Sequence, residues 1–178
     1  NHDYTLGSSA GADREVRQGR LPLALHPDPK RIAFVGVAAG MTVSAALDFP
    51  VERVAAVGLL QGVADTLPFF SKWNGNVAED PRVEIVEEDG RNFLAGTNEQ
   101  FDVIISDLFV PWHAGTGDLY SVEHYQTARE RLAPKGIFAQ SFPGYQRSVE
   151  ELRSITASML QVFPNLVLWR NDYDLKYP

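Results

Sequence analysis

Residues 31–47 read Arg31-Ile32-Ala33-Phe34-Val35-Gly36-Val37-Ala38-Ala39-Gly40-Met41-Thr42-Val43-Ser44-Ala45-Ala46-Leu47. A short apolar run ends in glycine, and a segment of helical character follows from Met41. A run of this length, bounded by glycine, reads as a buried strand feeding a helix. The alternation recurs downstream. Val54-Ala55-Ala56-Val57 is expected as a second strand, followed by a helix over Val63 to Trp73 with apolar residues at Val63, Leu67 and Phe70. Val83-Glu84-Ile85-Val86 is a third strand, closed by Glu87-Glu88-Asp89-Gly90 and a short helix over Arg91 to Leu94. Phe101 to Asp107 is a fourth, nearly all apolar, as central parallel strands are. An amphipathic helix over Ser121 to Leu132 is predicted to stop at Ala133-Pro134-Lys135-Gly136, with glycine as the cap. Ile137-Phe138-Ala139 opens a fifth strand, Val149 to Val162 is a further helix, and Leu166-Val167-Leu168-Trp169 is a sixth strand.

Strands that alternate with helices pair in parallel through right-handed crossovers. The expected fold is therefore α/β, a doubly wound, mostly parallel sheet of about six strands. Residues 1–30 read as a polar, glycine-rich lead-in that turns apolar at Leu21 to Leu25. Residues 31–178 read as one nucleotide-binding α/β domain, cut before a last strand. With 178 residues and 44% hydrophobic content, the chain has enough apolar material for one core.

The net charge of -7, without any Lys/Arg run, argues against a nucleic-acid partner, because neutralising a phosphate backbone needs clustered cations. The absence of cysteine removes disulfides, thiolate zinc sites and thiol nucleophiles, and no metal is expected. No apolar run approaches bilayer length, and no basic-then-apolar export pattern opens the chain, so a cytoplasmic location is expected.

In an open α/β sheet, ligands bind outside the carboxyl ends of the strands where the strand order reverses. The residues to inspect are Gly36 to Gly40, Gly58, Asp89, Asp107 and Gln140. Gly36 and Gly40 fit either a tight structural turn or a close backbone approach to a ligand. Asp89, followed by Gly90, could accept a hydrogen bond from an adenine amine or cap the helix that follows. Asp107 closes an apolar strand, where an ionised side chain needs a partner or an open cleft. The segment from Leu108 to Tyr120, rich in aromatics and glycines, suits a lid. His113 within it reads as solvated or packed rather than as an acid/base.

Taken together, these segments resemble the spermidine synthase family, and within it the branch in which such a domain follows a membrane transporter-like region. The matching stretches run from Leu21-Pro22-Leu23 and His26-Pro27-Asp28-Pro29-Lys30 through Asp80-Pro81-Arg82-Val83, Asp89-Gly90-Arg91, Phe101-Asp102-Val103-Ile104 and Ser106-Asp107. They continue with Leu119-Tyr120-Ser121, Leu132-Ala133-Pro134-Lys135-Gly136 and Tyr177-Pro178. The resemblance implies a Rossmann-like fold of the S-adenosylmethionine-dependent methyltransferase type. It implies decarboxylated S-adenosylmethionine as co-substrate, in the glycine turn of Gly36 and Gly40 and beside Asp89 and Gly90. Asp107 would accept the proton of an attacking diamine such as putrescine, and Gln140 and Tyr177 would line the diamine channel. A homodimer, and a membrane region elsewhere in a parent protein, are compatible with it.

The chain also departs from the family pattern. Ala39 stands where an acidic residue grips an amine, Gly58 where one binds the ribose hydroxyls, and Val110 where a second acid follows Asp107. A tyrosine expected near Arg14 to Glu15 is missing, as is a counterpart of the small N-terminal β-domain. Losing the ribose carboxylate removes hydrogen bonds worth about 1.5 to 3 kcal/mol. Three readings therefore stand: an aminopropyltransferase, a non-catalytic domain that has lost its cofactor, and a methyltransferase using S-adenosylmethionine itself.

Overall fold

The structure, a computed structural model, describes residues 9–59, 62–107, 117–142 and 148–170. Five strands form one parallel sheet in the order β3-β2-β1-β4-β5. They are β1 (Arg31–Val35), β2 (Arg53–Gly58), β3 (Val83–Glu87), β4 (Phe101–Ser106) and β5 (Leu132–Gln140). The chain steps outward from β1 to β3, then crosses back to lay β4 against the other side of β1. Strand order therefore reverses between β1 and β4, and a crevice opens at their carboxyl ends.

Successive residues of β1 serve opposite faces. Ile32 and Phe34 join Leu23, Val43, Val54, Ala56, Val103 and Ile105 in one apolar cluster. Ala33 and Val35 join Ala55, Leu94, Phe101, Ile104, Leu119 and Ala128 in another. Helix α1 (Ala12–Leu25) and helix α2 (Met41–Ser44), prolonged by a 3-10 turn over Ala45–Asp48, cover the first face. Helices α5 (Gly90–Gly96) and α6 (Val122–Glu130) cover the second, and α7 (Val149–Leu160) packs against α6.

Several elements differ from expectation. The segment read as a lead-in contains α1, which buries Ala12, Gly19, Pro22 and Leu23. The single helix expected over Val63 to Trp73 is broken into α3 (Val63–Thr66), a 3-10 turn over Leu67–Phe70 and α4 (Ser71–Asn74). Pro68 supplies no N–H for a continuous helical ladder there. Buried Asn74 holds the broken segment: its amide donates to Ala39 O at 3.0 Å and Leu67 O at 2.9 Å.

Helix α6 ends at Glu130, and Gly136 is not its cap. Residues 133–136 instead lie within β5, where the pairing slips from Phe101↔Leu132 to Val103↔Ile137. Pro134 cannot donate to a ladder and Lys135 sits at φ 67°, so the strand bulges there. Leu166 to Trp169 form no strand; Val167 and Leu168 are 71% and 73% exposed. Among the described residues the sheet thus has five strands, one fewer than the sequence suggested.

Gly90 fixes how closely α5 lies on the sheet: a Cβ there would stand 2.3 Å from Val35 Cγ1. Val35 is β-branched and held in a buried strand, so it cannot rotate away freely. Gly90→Ala is expected to destabilise the fold by about 1 to 3 kcal/mol, as overpacking does. Val35→Ala in the same chain should return part of that loss. Urea unfolding of the two single variants and the double variant checks this; additive losses would contradict it.

Candidate active site

Backbone hydrogen bonds tie the carboxyl ends of all five strands into one rim. Glu88 N donates to Gly58 O (3.0 Å), Gly36 N to Val57 O (2.8 Å), Asp107 N to Val35 O (2.9 Å) and Ser141 N to Ser106 O (2.9 Å). The residues singled out from sequence at Gly36, Asp89, Asp107 and Gln140 thus stand along a single edge. Neighbouring strands lie about 4.8 Å apart, so Asp107 borders the glycine turn directly while Asp89 lies two strands from β1.

The turn after β1 is built on positive φ: Gly36 at 107°, Ala38 at 45° and Gly40 at 78°. Gly40 N donates to Val37 O at 2.8 Å and its carbonyl accepts from Ser44 N. A Cβ on Gly40 would meet Val77 Cγ1 at 2.9 Å and Leu67 Cδ2 at 3.0 Å, so packing alone demands glycine there. Ala39 is buried and faces Met41 and Ala12.

Asp89 caps α5, accepting from Arg91 N at 2.8 Å. The Arg91 guanidinium forks onto the same carboxylate, with Nε 3.1 Å from Oδ1 and Nη2 2.8 Å from Oδ2. That fork holds the Asp89 carboxyl below the usual carboxylate range. Arg91 also reaches Asp118, in the turn before α6, so one cation orients two carboxylates. Oδ2 of Asp89 takes only one of those bonds and keeps a lone pair. The capping role and an adenine contact are therefore compatible.

Gly58 ends β2 without a carboxylate, but its register partner on β3 is Glu87. Glu87 Oε1 accepts from Gly62 N at 2.8 Å, which brings this carboxylate toward the loop that follows β2.

At the far side of the crevice, Asp107 follows β4 and accepts a hydrogen bond from the side-chain amide of Gln18 on α1. In register across β4 and β5, Ser106 faces Gln140. Ser106 Oγ and Gln140 Oε1 are buried with no hydrogen-bond partner among the described residues. An orphaned amide oxygen at the end of the strand next to the one that Asp107 follows is a group an amine donor would satisfy. Tyr177 and His113 lie outside the described residues. No group of three or more metal-ligating side chains occurs among the described residues.

Three polar residues escaped the sequence reading: Gln18, Arg91 and His124. Gln18 sat in the apparent lead-in, although Ala12, Val16, Gly19 and Leu23 recur there at helical spacing. Arg91 is signalled only by its place two residues after Asp89. His124, 5% exposed, borders a groove with Arg91, Asp118, Ser121 and Thr127, and neither ring nitrogen has a hydrogen-bond partner among the described residues. Burial first, then the Arg91 charge, pushes its pKa down from 6.5 to about 4.

The unfolded chain therefore binds more protons than the folded one between pH 6.5 and about 4. Stability should be complete above pH 6.5 and fall as pH drops toward 4, by up to about 3 kcal/mol from this residue. His124→Phe should flatten that part of the stability curve, as read from urea midpoints at pH 7 and pH 4.5. An unchanged slope would contradict the assignment.

Residues 19–169 match the spermine/spermidine synthase domain. The polyamine aminopropyltransferase of Nitrosomonas europaea is 32% identical over 147 residues, covering 80% of this chain and 44% of that protein. The spermidine synthase structure from Thermotoga maritima superposes with a TM-score of 0.73 at 27% identity, over 85% of this chain and 51% of that one. A spermidine synthase solved with the transition-state analogue AdoDATO has the same fold, with a TM-score of 0.71 at 24% identity and coverage of 85% and 50%. The chain spans about half the length of these relatives. With its family domain spanning α1 to the end of the described chain and its acidic residues set along the rim of a methyltransferase-type sheet, this chain belongs to the spermidine synthase family.

Proposed function

We propose that the chain carries the nucleoside-binding half of an aminopropyltransferase, which moves an aminopropyl group from decarboxylated S-adenosylmethionine to a diamine. The observation that carries this reading is the place of Asp107 directly after β4 at the switch point between β1 and β4, with the orphaned Gln140 amide oxygen at the end of the adjacent strand β5.

The nucleoside would lie across the glycine turn of Gly36 and Gly40, with its adenine amine toward the Asp89 carboxylate. Glu87 is the carboxylate best placed to meet the ribose hydroxyls, because it reaches toward the loop after β2 from the neighbouring strand. The diamine would approach over β4 and β5. A protonated amine has no free lone pair, so the attacking nitrogen must give up a proton, and Asp107 would accept it. The nitrogen then bonds to the aminopropyl carbon next to the sulfonium, the C–S bond breaks, and its electron pair stays on sulfur, which leaves as a neutral thioether. No metal is needed in this scheme. Gln140 Oε1 would hold an N–H of the bound amine, and Tyr177 would complete the channel.

The Asp89–Arg91–Asp118 arrangement serves the same end. Arg91 fixes the rotamer of Asp89 in advance, so less side-chain freedom is lost when adenine binds. The family's place in polyamine metabolism makes a cytoplasmic location the natural one. No helix among the described residues is long and apolar enough to cross a membrane.

Calorimetric titration with decarboxylated S-adenosylmethionine and with S-adenosylmethionine tests the reading. The decarboxylated form should bind in the micromolar range and more tightly. Asp89→Ala and Glu87→Gln should each weaken it about tenfold or more, the value of a hydrogen bond to a charged group. Asp107→Asn should leave nucleoside affinity intact and abolish transfer to putrescine. Absence of heat from either nucleoside, in a folded chain, would overturn the proposal in favour of a domain that has lost its cofactor.

A further inference from the structure

Asp107 is the residue on which the proposed chemistry turns, and what holds it comes from far away in the chain. The side-chain amide of Gln18 donates to Asp107 Oδ1 across 89 residues of sequence. Because a carboxylate only accepts, this contact also fixes which end of the Gln18 amide faces the crevice. Resting on the transferase reading above, we propose that Gln18 is a positioning residue that holds the Asp107 carboxylate in the crevice between β1 and β4.

The placement of Gln18 is itself over-determined. The next residue, Gly19, is buried against α2: a Cβ there would lie 2.2 Å from Thr42 O and 2.9 Å from Ala45 Cβ. The backbones of α1 and α2 therefore touch, which fixes α1 along its axis and in rotation. Ala12 and Leu23, at the two ends of α1, are buried in separate apolar clusters, so the helix is held over its whole length. A glutamine on this face is delivered to the end of β4 with little freedom. The opposite side of Asp107 is secured by the backbone, where Asp107 N donates to Val35 O at 2.9 Å. One bond fixes the main chain at the end of the strand and the other fixes the side chain.

The consequence is specific. Without the amide, the carboxylate loses a contact that orients it, and only some orientations meet the attacking nitrogen. Binding of the nucleoside, which lies over β1 to β3, does not pass through Gln18. Loss of Gln18 should therefore appear in the rate of transfer and leave nucleoside affinity unchanged.

The test uses the full chain with Gln18→Met, which keeps the length of the side chain and removes the donor. The first readout is the side-chain amide signal of Gln18 in a nitrogen–proton correlation spectrum, identified by its loss in Gln18→Met. It should move in Asp107→Ala; an unmoved signal in a folded chain would overturn the proposal. The second readout is kinetic. In Gln18→Met, kcat should fall about tenfold or more with the KM for the nucleoside unchanged, as expected for an oriented hydrogen bond to a charged group. A KM rise with kcat intact would also overturn it. Should the amide signal move while the unmodified chain transfers nothing, the contact stands and the transferase reading falls. Melting temperatures of both variants, close to that of the parent, certify that each is folded.

Discussion

The structure depends on the burial of β1 on both faces. From Ile32 to Val35 no residue exceeds 2% exposure, so each face of the strand requires its own apolar cover. A surface strand could have one wet face; a strand with two dry faces forces helices onto both sides of the sheet. That demand pairs β1 with β2 on one side and β4 on the other, because two neighbours are needed to satisfy its backbone. The reversal of strand order follows from the same requirement. The crevice at the switch point is thus a by-product of covering β1, and the polar residues of the candidate site decorate an edge that packing alone had already created.

How much of this was legible in sequence depends on whether the signal was local. Strands β1 to β4 are short apolar runs ended by glycine or acidic residues, and each lies where its pattern indicates. Helix α1 was hidden by Asp13, Arg14, Arg17 and Arg20, whose charges dominate the composition of the segment although Ala12, Val16, Gly19 and Leu23 fall at spacings of four, three and four. Leu166 to Trp169 illustrate the opposite error. Four consecutive apolar residues have the pattern of a strand dry on both faces, but pattern only states a demand for cover, and here the described residues supply none. At Ala133 to Gly136, helix-stop chemistry and bulge chemistry use the same residues, proline and glycine. Only the partner strand distinguishes them.

The site was legible as a set of strand ends and illegible as a set of partners. Asp89 and Asp107 could be placed because strand ends are read from periodicity. That Arg91 forks onto Asp89, and that Gln18 reaches Asp107, depends on rotamers and on helix placement, for which a single chain carries no signal. The same holds for Glu87. Its position at the end of β3 was evident, while its orientation toward the loop after β2 required the register of β2 on β3.

These partnerships bear on whether the lost family carboxylates empty the site. At Ala39 the loss is compensated by packing: the residue is buried against apolar neighbours, where an ionised side chain would cost several kcal/mol without a partner. At Gly58 the glycine lies close to Val37 and Val63, and a larger side chain would press on both, while the Glu87 carboxylate stands in register on the next strand outward. The crevice edge thus has no acid at Ala39 or Gly58 and has one, Glu87, that leans toward it from β3. In the proposed reading such an edge offers hydroxyl groups the Glu87 carboxylate and has no charge at Ala39 in the glycine turn. Two acids of the site keep an ordered partner, Asp89 the Arg91 fork and Asp107 the Gln18 amide, so the edge that packing created still carries oriented carboxylates at the ends of β3 and β4.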